Sequence, residues 1–182
     1  MKKIQWREVK YGIKFNWMNY VVPNIPFWCI RKLFYRLVGV HIGNAHILMK
    51  VRTDGWSGIT IEDGVCINEF CSLDGRGGLT IRDNASISTY SKIITGSHDL
   101  QSDKHEFISK PVEIGKNVFV GTGAIVLPGC VLGNRCVLAA GAVATEGRYE
   151  ENVLYAGVPA KKIKNRGLNN DYDLSGWQPW FR

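Results

Sequence analysis

Residues 112–145 read VEIGKNVFVGTGAIVLPGCVLGNRCVLAAGAVAT. Taken in sixes from Ile114, an aliphatic residue returns at Ile114, Val120, Val126, Leu132 and Leu138, and four places after each stands Val118, Ala124, Cys130, Cys136 or Ala142. A period of six matches neither a helix of 3.6 residues nor a free-standing strand of period two. It matches a coiled ribbon of short strands in which each side contributes one large inward side chain, with a small residue filling each inner corner. Gly115, Gly121 and Gly133 fall where the backbone has to bend, and the reading assigns them positive φ.

The same period extends toward the N-terminus. The coil opens weakly at Ile42-Gly43 and Leu48; then Ile61, Ile67 and Leu73 form one three-sided turn, with Val65, Cys71 and Gly77 at the small places. Ile81, Ile87 and Ile93 form the next, with Ala85 and Ser91. Extra residues between the sets, such as Arg76-Gly77-Gly78, read as bulges at corners. From Ile93 to Ile114 the period breaks for 21 residues, one turn of eighteen plus three, so the polar segment of about 95–112 is extruded from the coil. It holds His98 and His105, two of the four histidines, and insertions from a solenoid are where function concentrates.

Outside the coil, Phe27, Ile30, Phe34, Leu37 and Val38 share one face of a helix opened by Pro26 and closed by Gly39, with Arg31, Lys32 and Arg36 mostly elsewhere. This amphipathic segment is expected to cap the end of the coil, and a membrane-surface role for the basic, aromatic N-terminus is the alternative. Residues 1–25 mix Trp6, Tyr11, Phe15, Trp17 and Tyr20 with cations and show no clean period. After the coil, Val153 to Ala160 reads as leaving it, followed by Lys161, Lys162, Lys164 and Arg166. The tail carries Tyr172, Trp177, Trp180 and Phe181, too aromatic for a solvated linker, and is expected to pack on a neighbouring surface. The organisation is then 1–41, an aromatic and basic segment with a capping helix; 42–166, the coil with its extruded loop; and 167–182, the tail.

Bulk properties narrow the classes. A chain of 182 residues, 45% hydrophobic and 21% charged, suits one ordered domain with appendages. The excess of 23 Lys and Arg over 16 Asp and Glu serves a polyanionic small ligand or an acidic membrane surface, since no nucleic-acid motif accompanies it. Five cysteines without a CxxC pair argue against a disulfide framework or zinc knuckle; Cys71, Cys130 and Cys136 sit at small-residue places and read as buried filler. No stretch approaches the ~20 apolar residues of a membrane span, and the N-terminal apolar runs are broken by Arg7, Lys10 and Lys14, so a cytoplasmic protein without a signal peptide is expected.

Five segments carry a resemblance over about residues 42–166. They are Asn68-Glu69-Phe70-Cys71-Ser72-Leu73-Asp74, Thr95-Gly96-Ser97-His98-Asp99, Pro111-Val112-Glu113-Ile114-Gly115, Gly121-Thr122-Gly123-Ala124 and Ala156-Gly157-Val158-Pro159-Ala160-Lys161. With them the chain resembles the hexapeptide-repeat acyltransferases, and among these the sugar and exopolysaccharide O-acetyltransferases of the maltose/galactoside and colanic-acid type. The resemblance implies a mainly β fold, a left-handed parallel β-helix, assembled as a homotrimer with active sites between subunits. Handedness comes from the resemblance alone, since the general crossover rule is right-handed.

It also implies acetyl-CoA as co-substrate, a saccharide or glycan-precursor acceptor and no metal. Transfer to an alcohol needs a base for the hydroxyl proton and a donor for the oxyanion. His98 matches the base and the Thr122 backbone N–H the oxyanion donor. Asn68, Asp74 and Phe119 match residues of the acceptor pocket, Phe119 standing where many relatives carry tryptophan. For the CoA arm the matches are Gly123, Ala140, Thr145, Lys161 and Lys164; Glu146 replaces a frequent lysine and weakens the expected phosphate contacts. Asp99 is not assigned as the partner of His98, because adjacent side chains diverge. Competing readings are N-acetylation of an amino sugar, a non-catalytic β-helix scaffold, and a zinc enzyme of the γ-carbonic-anhydrase type, which needs three histidines where only His98 and His105 fall near one another.

Overall fold

A computed structural model of the chain describes residues 5–167 and 171–176. Three strands per turn build three parallel sheets around one core. The first sheet stacks His41–Ile42, Ile59–Ile61, Leu79–Ile81, Val112–Ile114, Cys130–Leu132 and Gly147–Tyr149. The second stacks His46–Ile47, Cys66–Ile67, Ser86–Ile87, Phe119–Val120, Val137–Leu138 and Val153–Ala156; the third stacks Arg52–Asp54, Ser72–Asp74, Lys92–Ile93, Ile125–Val126 and Val143–Ala144. This is a parallel β-solenoid of about six turns, consistent with the left-handed β-helix expected.

Register converts the six-residue period into columns. Ile42, Ile61, Ile81, Ile114, Leu132 and Tyr149 lie one above another on the first sheet. Ile47, Ile67, Ile87, Val120, Leu138 and Tyr155 do so on the second, and Thr53, Leu73, Ile93, Val126 and Ala144 on the third. All are buried, as are the small corner residues Val65, Cys71, Ala85, Val118, Ala124, Cys130, Cys136 and Ala142. Burying each large aliphatic side chain contributes about 1.5–3 kcal/mol, so the columns dominate stability. Burial pushes the Cys71 and Cys136 thiols up to about 12, which fits inert filler.

The corners depart from the expectation at Gly115, Gly121 and Gly133, none of which has positive φ. Left-handed backbone falls two residues later, at Asn117, Gly123 and Arg135. The three glycines answer a different constraint: a Cβ at Gly121 would lie 2.5 Å from the Ala140 nitrogen, and one at Gly133 2.8 Å from the Tyr149 carbonyl oxygen. They keep successive turns close enough to bond. Val153–Ala156 also differs from expectation, since it stays in the coil as a strand and only then reverses into the antiparallel Lys161–Asn165.

At the N-terminal end stand α1 (Trp6–Asn16), continued by a π-helical turn at Trp17–Val21, and α2 (Trp28–Leu37). Hydrogen bonds between turns run both ways, and no strand precedes the first turn to donate to those of its carbonyls that face away from the second. Helix α2 supplies the donors: Arg31 Nη2 to Ile47 O at 3.0 Å, Lys32 Nζ to Gly43 O at 2.6 Å and Arg36 Nη2 to Ile42 O at 2.7 Å. The expected apolar face is divided, with Phe34 and Val38 packed against the core. Arg31 and Tyr35 are buried against the coil, while Phe27, Ile30 and Leu37 are exposed.

The tail returns along the corner between the first and second sheets. Asn117 Nδ2 donates to Tyr172 O at 2.6 Å, the Leu174 N–H donates to Asn84 Oδ1 at 3.0 Å, and Arg135 pairs with Asp171 at 3.0 Å. The expectation for Trp177, Trp180 and Phe181 lies outside the described residues.

Candidate active site

The extruded segment leaves the coil at the corner between the third and first sheets and folds as an antiparallel hairpin, Gly96–His98 against Phe107–Ser109. His98 pairs across it with Phe107 and is exposed. Its Nδ1 lies 2.8 Å from the His105 carbonyl oxygen. A carbonyl only accepts, so Nδ1 is the donor, and in the neutral ring Nε2 is then left as a lone-pair acceptor. The His105 and Phe107 rings stand edge-on to His98 at 5.0 and 5.9 Å, fixing the imidazole plane. Asp99 does not participate: its N–H donates to Glu106 O and its Oδ1 accepts from Gln101 N.

Asp74 fastens the hairpin to the coil. Its carboxylate takes two hydrogen bonds from the Arg76 guanidinium, at 2.9 and 3.0 Å, and the N–H groups of Arg76, Thr95 and Gly96 at 3.0 to 3.1 Å. Burial alone would raise its pKa, but these donors outweigh it and hold the carboxyl below the usual range. Arg76 also lies over the Phe107 ring at 5.1 Å, and the other end of the hairpin is held by a Lys110–Glu146 ion pair at 2.6 Å. Glu146, which the sequence offers as an obstacle to phosphate, is thus paired within the chain. Asp74 and Arg76 further line a cavity of about 250 Å³ with Phe15, Asn19 and Arg52.

A second cluster gathers at the corner between the second and third sheets. Lys50, Phe70, Tyr90, Gly123 and Gly141 occupy equivalent left-handed positions in successive turns. Phe70 and Tyr90 stack at 4.9 Å and 14°, with Lys50 over Phe70 at 4.8 Å. Above Tyr90 the column becomes a shelf, because a Cβ at Gly123 or Gly141 would meet nothing within 4 Å. Thr122 and Ala140 are exposed beside it, Thr122 O accepts from Gly141 N at 2.9 Å, and the Thr122 N–H has no partner among the described residues. Asn68, on the same corner, donates from Nδ2 to Ile87 O at 3.0 Å. Phe119 projects from the adjoining second sheet, 40% exposed.

The predicted site residues therefore fall in two places. Asn68, Thr122, Gly123 and Ala140 share one corner, with Phe119 next to it, whereas His98, Asp74 and Thr145 belong to another. Lys161 and Lys164 lie exposed on the strand that closes the second sheet; Lys162 pairs with Glu150 at 2.7 Å and Arg166 donates to Arg135 O, so those two are engaged elsewhere. Thr145 has both backbone groups bonded to the Tyr149 hydroxyl. Arg76, read from sequence only as part of a corner bulge, the His105 carbonyl and the Phe70–Tyr90 stack were given no role at the site. Only the Gly75-Arg76-Gly77-Gly78 interruption of the period could have flagged the first.

Among the described residues no three or more His, Cys, Asp or Glu converge as a metal site.

Residues 111–145 match the family model described as bacterial transferase hexapeptide (six repeats). No curated protein matches the chain in sequence. Similar solved structures include a hexapeptide-repeat acetyltransferase from Vibrio cholerae, at TM-score 0.78 and 20% identity over 90% of this chain and 94% of that one. A galactoside acetyltransferase in complex with coenzyme A gives 0.73 and 21% over 92% and 86%. The N-acyltransferase AntD from Bacillus cereus, in complex with dTDP and 3-hydroxybutyryl-CoA, gives 0.60 and 22% over 78% and 90%. Identities this low establish a shared fold and leave the reaction to be argued from the site.

Proposed function

We propose that the protein is an acetyl-CoA-dependent O-acetyltransferase whose acceptor is a hydroxyl of a sugar or polysaccharide precursor, with His98 as general base. The observation that carries this is the imidazole on the exposed hairpin, held through Nδ1 so that Nε2 is available to take a proton. His98 Nε2 accepts the hydroxyl proton as the acceptor oxygen bonds to the acyl carbon; the Thr122 N–H stabilises the oxyanion; the carbon–sulfur bond then breaks and the thiolate recovers the proton from His98. The shelf at Gly123 and Ala140 is low enough for a pantetheine arm, and Lys161 and Lys164 supply charge for the nucleotide phosphates, with Thr145 a further contact. Asn68, Asp74 and Phe119 are assigned to the acceptor side.

Because base and oxyanion donor occupy different corners of one chain, this mechanism requires a second copy, and a cyclic homotrimer gives three equal sites. The five free thiols and the donor fit a cytoplasmic enzyme. The test is acetyl-CoA turnover with neutral and amino saccharides, the product bond identified by its lability to hydroxylamine. Ester formation supports the proposal. Amide formation alone would replace it with N-acetylation, and absence of CoA release with every acceptor would leave a binding protein.

A further inference from the structure

The N-terminal helices leave a row of large apolar side chains exposed on the side away from the coil. The coil-facing side of the first helical stretch works through polar and aromatic anchors. The Tyr11 hydroxyl donates to Asp54, Lys14 and Tyr11 pack on Trp56, and Asn19 Oδ1 accepts from Thr53 N at 2.7 Å, with Met18 and Val22 buried beneath. Helix α1 itself has no buried residue. Its other side presents Trp6, Val9, Ile13, Trp17 and Tyr20, spaced three or four residues apart on one stripe, with Trp6 70% and Ile13 66% exposed.

Helix α2 repeats the pattern. Arg31, Lys32 and Arg36 are turned toward first-turn carbonyls, which leaves Phe27, Ile30, Leu33 and Leu37 outside, Leu37 at 71% exposure. The Trp17 and Phe34 rings meet edge-on at 6.3 Å, which sets the two helices that carry these stripes against each other. Folding of the chain does not account for so many large apolar side chains exposed on two adjoining helices.

The margin of this surface decides the partner. Arg7, Lys10, Lys14 and Arg52 are exposed around it, and between residues 5 and 38 the only acid is Glu8. Two copies joined through this face would set those cations against one another with almost nothing to offset them. Indole and phenol groups rimmed by lysine and arginine match the headgroup region of an anionic bilayer instead. No helix among the described residues is long and apolar enough to cross a membrane. We propose that the Trp6–Leu37 face docks the protein peripherally on anionic lipid, the helices lying in the plane of the surface. The docking does not depend on the acyl-transfer reading.

The experiment is flotation of the full chain with phosphatidylcholine vesicles with and without phosphatidylglycerol, read together with tryptophan emission and sedimentation velocity. Expected are flotation and a blue shift with phosphatidylglycerol only, weakening with salt. Ile13→Glu and Leu37→Glu, both at solvent-exposed positions, should each lower binding ~10-fold or more, and Lys10→Glu about fivefold, with unchanged circular dichroism and Tm. No flotation of the unaltered chain, equal flotation on both vesicle types, or full binding by Ile13→Glu and Leu37→Glu would overturn the proposal. So would loss of an oligomer in those two variants without loss of lipid binding, which would make the face a contact between copies. Acetyl transfer to a soluble acceptor should be unaffected by either substitution, which separates this test from that of the catalytic reading.

Discussion

The His105 carbonyl has no proton to give, so its contact with His98 selects one tautomer, and every catalytic expectation at this position follows from that choice. His98→Ala removes the acceptor nitrogen and should lower kcat about 10²–10⁴-fold, with little change in coil stability because the side chain is exposed. His98→Asn, which keeps a donor toward the carbonyl but offers no base, should be nearly as slow. Asp74 makes the complementary case, a carboxylate whose hydrogen bonds hold the hairpin in position. Its folded pKa is lowered, so its contribution to stability is complete above the ordinary carboxylate value and is lost as pH falls through the lowered one. Asp74→Asn should therefore destabilise the protein at neutral pH and flatten the acid limb of a Tm-against-pH curve, in which the unaltered protein declines only at distinctly acidic pH. His98 and Asp74 were both singled out by the sequence as residues. Their partners were not, because Arg76 and the His105 carbonyl reach them through corner and hairpin geometry that a six-residue period does not encode.

At the scale of elements, the periodic columns were legible because each inward place tolerates one class of side chain, and five consecutive repeats leave little freedom in register. The glycine corners were only half legible. Gly121 reads as a bend, yet its absent side chain matters because the next turn approaches closely. Gly121→Ala would drive a methyl group into the Ala140 backbone, which cannot yield as a flexible side chain would. We expect a loss of about 1–3 kcal/mol, seen as a lower denaturant midpoint with unchanged slope. The N-terminal helices were the least legible, for a reason that generalises. Amphipathic spacing identifies an apolar stripe but not what the stripe faces. Here the first turn's carbonyls form an edge that needs donors, and satisfying it brings Arg31, Lys32 and Arg36 inward. Phe27, Ile30 and Leu37 are then left facing out, while Phe34 and Val38 still pack on the core.

For the whole molecule, the decisive fact is that one chain places His98 at one corner of the coil and the Thr122 shelf at another. Within a ring of copies, the hairpin of one would serve the shelf of its neighbour, and each site would be composite. This has a consequence that no single-residue substitution tests. His98→Ala and Ala140→Trp, the latter filling the shelf from an exposed position, should each be inactive alone. Co-refolded in equal amounts, they should regain about a quarter of the unaltered activity, since each subunit is drawn at random and a site needs one intact contribution from each side. Mixing without subunit exchange should regain none, and the recovered activity should co-elute with the proposed trimer on size exclusion. If co-refolding recovered nothing while mixed oligomers formed, both groups would have to act within one chain, and the hairpin would have to leave its corner to reach the shelf. The Asp74, Arg76 and Lys110–Glu146 anchors oppose that movement at both ends of the hairpin, which is why the composite site is the expected outcome.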